Sequence, residues 1–141
     1  MRRLYLAAIS YAALGLAGGL AYREITHARG FTGYTQLALV HTHLLALGML
    51  VMLIVLALDV SLGLSGSRSF SWFFTTYNAG LVITAAALTW HGLLQVLGQD
   101  AGPAIAGIAG LGHILLTIGI GCLLAAINKP LRARLATTPE R

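Results

Sequence analysis

Four long apolar runs, parted by short polar breaks, take up nearly the whole chain. After Met1-Arg2-Arg3 the first covers residues 4–22 and ends at Arg23-Glu24. The connection that follows holds Gly30 and Gly33, which interrupt a helix, and Tyr34, whose ring suits a membrane–water interface. The second run covers 36–58 and stops at Asp59; a Gly/Ser-rich loop, 61–69, comes next. Ser69 or Ser71 is placed to cap the third run, 72–97. A turn at 98–103, with Asp100 and Pro103 at a helix start, leads into the fourth, 104–127, which Asn128-Lys129-Pro130 closes. Each run is long enough to cross a bilayer core of about 30 Å as an α-helix.

Composition supports that reading. Of the 141 residues, 57% are hydrophobic and 9% charged, whereas soluble domains carry roughly a quarter charged. The chain therefore reads as one all-α integral membrane domain, residues 1–141, with no soluble portion left over. A basic start before an apolar run also describes a signal peptide, but the run is long and lacks a small-residue cleavage site, so a retained first span is expected. Four spans put both termini on one side. Arg2, Arg3, Arg68, Lys129, Arg132, Arg134 and Arg141 fall there, against Arg23 and Arg29 opposite, which predicts cytoplasmic termini. The net charge of +5 is accounted for by these flanks and does not call for a nucleic-acid partner. Cys122 is the single cysteine and forms no framework. In the first span, Gly15-x-x-x-Gly19 is a candidate for close helix packing.

Chemistry enters with the histidines. His41 and His43 lie about 6 and 9 Å below the outer end of the second span, His91 about 9 Å below that of the third, and His113 about 14 Å into the fourth. His27 falls in the outer loop. Ionisable groups at such depth are costly and usually functional. Two residues along an α-helix is about 200° of rotation, so His41 and His43 face opposite ways and cannot chelate one small ion together. They serve two sites or two subunits, and with four helices per chain this predicts an oligomer. The plainer alternative is that each imidazole bonds a carbonyl or a threonine hydroxyl on a neighbouring helix. Haem suits the pattern better: an apolar slot, axial histidine, and polar groups for its propionates at the interface. Arg23, Arg29, Gln36 and Tyr34 stand at the right height, and Gly48, Gly92 and Gly110 either leave room for a flat ring or are points of contact between helices. Met49 and Met52 are soft enough for copper, but core filling is the commoner role of such methionines.

Tyr22-Arg23-Glu24, Thr35-Gln36-Leu37 and His41-x-His43 with Leu47-Gly48-Met49 resemble a small bacterial four-span membrane family of unknown function, which implies the bacterial inner membrane. More distantly, His-x-His on the second of four helices is similar to the catalytic subunit of haem–copper oxidases and nitric oxide reductases, built as three arcs of four helices. That resemblance implies a homotrimer with His41 and His43 as haem ligands across subunit interfaces, and His91 at the position of a copper ligand. The third helix here has one histidine where the oxidases have two, and no His-Pro-Glu motif is present. Apart from threonines, Gln95 is the main candidate for a proton path. The expectation is thus a haem b protein for electron transfer or diatomic gas binding, with oxidoreductase activity left open. His91 and His113 are expected as possible ligands of a second metal or haem. The alternatives are a copper or other transition-metal protein, and an assembly protein without cofactor.

Overall fold

The computed structural model describes residues 1–137, so Arg141 of the charge pattern lies outside the described residues. Among them there are helices and no strands. Helix α1 covers Arg2–Ala28, α2 Leu37–Leu62, α3 Arg68–Val96 and α4 Pro103–Thr137. All four are long and apolar enough to cross a membrane.

The helices outrun their apolar stretches. The first continues through Arg23–His27, and the fourth passes through Lys129 and Pro130 instead of stopping there. Apolar length marks what a bilayer core can take up. It does not mark where backbone hydrogen bonding ends. The stops are glycines with left-handed backbone: Gly63 at φ +66° ends α2, its N–H donating to the Asp59 carbonyl at 2.8 Å. Helix α3 starts earlier than its apolar run, at Arg68. Ser67, rather than Ser69 or Ser71, caps it, the hydroxyl accepting from the Phe70 N–H at 3.1 Å.

Each helix packs mainly on its neighbours in sequence, and α1 makes no extended contact with α4. The result is an open row, not a closed bundle. Between α1 and α2, Gly15, Gly18 and Gly19 lie against Leu45, Val40 and His41, so the Gly-x-x-x-Gly pair is a true contact. Gly48 returns the fit: a Cβ there would stand 2.5 Å from the Tyr11 ring. Between α2 and α3, Gly92 admits the backbone of Leu37. Between α3 and α4, Gly80 meets Gly112 and Leu116, and Gly119 meets Tyr77. Small residues of this kind let membrane helices gain dispersion contacts where apolar burial gives no drive.

The best-filled core lies toward the N-terminal end of the row, where Leu4, Met52, Val55, Leu64, Phe70 and Phe73 are fully buried. Phe73 stacks at a tilt on Phe70 and Tyr77, with ring centroids 5.8 and 5.4 Å away. Asp59, which ends the second apolar run, is 1% exposed and fully engaged. Its carboxylate accepts from the Ser65 N–H at 2.7 Å and from the Ser65 hydroxyl, and faces the N-terminal ammonium at 3.4 Å. Elsewhere most apolar surface points outward: only 22% of the apolar stretch of α1 and of α4 is buried. That is consistent with lipid contact.

Candidate functional site

Helix α2 changes its winding where the histidine pair stands. Residues Leu37–Thr42 are α-helical, His43–Leu50 form a π-helical stretch, and Val51–Leu62 return to α. Such a segment shifts hydrogen bonds from i+4 to i+5 and recurs at functional sites. Nothing in the apolar sequence of this stretch signals it. Across from it, the Tyr77 hydroxyl of α3 donates to the Leu47 carbonyl at 3.0 Å, adding a bond to a carbonyl inside the loosened turn. Beside it, the Tyr11 hydroxyl donates to Asn78 Oδ1 at 2.6 Å, tying α1 to α3 over α2.

The two histidines of the pair face apart, as their spacing requires. His41 turns toward α1, with its ring carbons next to Gly19. Its Nε2 lies 3.3 Å from the Thr42 hydroxyl, and its Nδ1 is buried with no partner. His43 is held differently: Nδ1 is 2.9 Å from the Leu39 carbonyl. A carbonyl only accepts, so Nδ1 carries the proton and Nε2 keeps its lone pair. His43, Leu47 and Val51 follow at intervals of four, which sets them on one side of α2.

Leu47 and Val51, but not His43, line an open crevice of about 400 Å³ together with Tyr77, Leu116, Thr117 and His113. His113 repeats the arrangement of His43: its Nδ1 lies 2.8 Å from the Ala109 carbonyl, which leaves Nε2 as the bare nitrogen. It is exposed, in the middle of an apolar helix. Donating one ring N–H to a backbone carbonyl fixes the tautomer and the ring orientation, as is common for imidazoles that bind a metal through the other nitrogen.

The remaining site residues are set at the outer ends of the helices. Gly92 meets Leu37, so His91 stands level with the first turn of α2, about 9 Å before His43. The expected match in depth between His91 and His43 is therefore absent, because α3 runs past the start of α2. His91 is half-buried and makes no hydrogen bond. The Thr35 hydroxyl donates to the Gly92 carbonyl at 2.8 Å and accepts from the Leu37 N–H at 3.2 Å. The Gln36 N–H donates to Gln95 Oε1 at 2.7 Å. Gln95, a candidate for a proton path by sequence, thus anchors the start of α2. Arg23 is exposed one turn beyond Gly19, level with that start, and His27 is exposed too. Met52 is fully buried and Met49 packs against the core, so both fill space. Among the described residues no three His, Cys, Asp or Glu side chains come together to hold a metal ion.

A family described as "Protein of unknown function (DUF2871)" matches residues 1–130. The chain belongs to this DUF2871 family. No curated protein and no solved structure matches it. For a DUF2871 protein, then, function rests on the site, and the site offers two imidazoles, His43 and His113, each locked by a carbonyl of its own helix.

Proposed function

We propose that the protein is a membrane-embedded b-type haem protein, assembled as a homotrimer and working in electron transfer or diatomic gas binding. The observation that carries this reading is the shared state of His43 and His113: Nδ1 donated to a backbone carbonyl and Nε2 left as a lone pair, with His113 lining an apolar crevice and His43 one turn from its lining residue Leu47. Axial ligation of haem iron needs that nitrogen in that form. When bound, haem would supply the electron-carrying or gas-binding iron. His43 and His113 would hold it by Nε2, and Arg23 with the Gln36 side chain would meet its propionates at the outer end. His41, turned inward, orders the contact between α1 and α2 instead of binding haem.

One chain does not enclose a porphyrin, since the crevice is open on the side away from the row. The missing wall is a second copy. An open row with unlike edges, α1 and α4, suits head-to-tail contacts that close into a ring. His113 on the outer surface of α4 then gains a partner instead of standing bare in lipid. The charge flanks support cytoplasmic termini, and the resemblance to a bacterial family supports an inner-membrane location. Copper is the weaker reading: among the described residues no three His, Cys, Asp or Glu side chains gather within a chain.

The test is direct. Protein purified in mild detergent from haem-supplied cells should be red, with a Soret band, and light scattering should give three chains per particle. A colourless, monomeric preparation would sink the proposal.

A further inference from the structure

A cavity of about 550 Å³ lies at the opposite end of the helices from the pair His41 and His43. It is lined by apolar Leu64 and by Ala125 and Ala126 at the end of the fourth apolar run, together with Lys129, Ser67 and Ser69. It thus straddles the point where apolar span gives way to charge, which is where a lipid phosphate sits. Among the described residues the exposed Lys129 has no acidic partner, and no carboxylate lines the cavity. Asp59, the acid at this end, is taken by Ser65 and the N-terminal ammonium. The Ser69 hydroxyl makes no hydrogen bond in the chain. Pro130, inside helix α4, has no N–H to give to the Ala126 carbonyl, so a lining residue presents an acceptor without its usual intrahelical donor.

We propose that this cavity seats the headgroup of an anionic phospholipid of the phosphatidylglycerol type. Its phosphate meets Lys129 and the Ser69 hydroxyl, its headgroup hydroxyl donates to the Ala126 carbonyl, and its acyl chains follow Leu64 and Ala125. Basic pockets between helices at a membrane surface are the ordinary setting for such lipids. The charge selects against zwitterionic phosphatidylcholine, and the acceptor gives a hydroxylated headgroup a bond that a bare phosphate lacks. The inference does not depend on haem.

The experiment adds equal amounts of phosphatidylglycerol and phosphatidylcholine to the detergent-purified full chain and reads bound lipid by native mass spectrometry. Wild type should retain phosphatidylglycerol over phosphatidylcholine. Lys129→Gln should weaken that preference about fivefold, the effect expected for one basic group at a membrane surface. Ser69→Ala should weaken it by a smaller factor. Arg2→Gln, an equal charge change at the same end but outside the cavity, should leave it unaltered, and all variants should melt like wild type. Equal uptake of both lipids by wild type, no change in Lys129→Gln, or an equal loss in Arg2→Gln would each overturn the proposal.

Discussion

The Tyr77 hydroxyl donates to the Leu47 carbonyl across 3.0 Å, joining α3 to the π-helical stretch of α2. A π turn lengthens the reach of each backbone bond, and an outside donor helps hold it in that state. Tyr77→Phe removes the donor and keeps the ring that packs on Phe73 and the backbone that meets Gly119. Hydrogen bonds of this kind in apolar helices contribute about 1 kcal/mol. The variant should melt a few degrees lower in detergent; an unchanged melting curve would show that the π stretch holds without Tyr77.

His41 and His43 should behave differently on substitution, although they are separated by a single residue. His43→Ala removes the imidazole whose Nε2 is free and should remove most of the Soret absorbance. His41→Ala removes a ring lodged against Gly19 and should keep the band while lowering stability. Visible spectra and melting curves on the same samples separate the two effects. Loss of the band in His41→Ala alone would reverse the assignment of ligand and packing residue.

Glycines facing a neighbour and glycines facing outward predict opposite signs. Gly48→Ala drives a methyl toward the Tyr11 ring, and Gly92→Ala toward the backbone of Leu37, which has less room to move. Overpacking of this sort costs about 1–3 kcal/mol, with Gly92 the more severe. Gly107 meets nothing within 4 Å in its own chain. In the monomer, Gly107→Ala should be neutral or raise stability by about 0.5–1 kcal/mol. A large loss at Gly107 in the intact assembly would instead mark α4 as a face between copies, and comparing melting with particle mass reads out which holds.

Asp59 is buried among donors, with Ser65 giving it both a backbone and a side-chain bond. Asp59→Ala leaves the Ser65 N–H without that acceptor, a loss of about 1–3 kcal/mol for a buried polar group. Thermal unfolding should show the drop. Ser65→Ala keeps the backbone bond and should cost less.

The candidate site was only partly legible before folding. The spacing of His41 and His43 already required that they face apart, because rotation per residue is a property of the helix itself. Which ring is free was not legible: that depends on Gly19 of another helix and on the Leu39 carbonyl accepting from Nδ1. Gln95 and Asp59 were misleading for the same reason. A polar residue in an apolar run looks like a channel or a boundary until its partner, here the Gln36 N–H or Ser65, is in view.

The sequence by itself determined that there are four helices able to cross a membrane, roughly where their apolar parts lie, and that the charge flanks divide unequally. Those properties follow from side-chain transfer energies and helical geometry, which act locally. Tertiary structure decided the π winding at His43, the register that puts Gly92 beside Leu37, and the open row that leaves His113 on the surface. Each of these is set by contacts between residues far apart in the chain: a glycine that lets a backbone approach, or a hydroxyl that reaches a carbonyl on the next helix. In a chain this uniformly apolar, hydrophobic pattern says little about which face meets which neighbour, so shape and the few polar bonds make that choice.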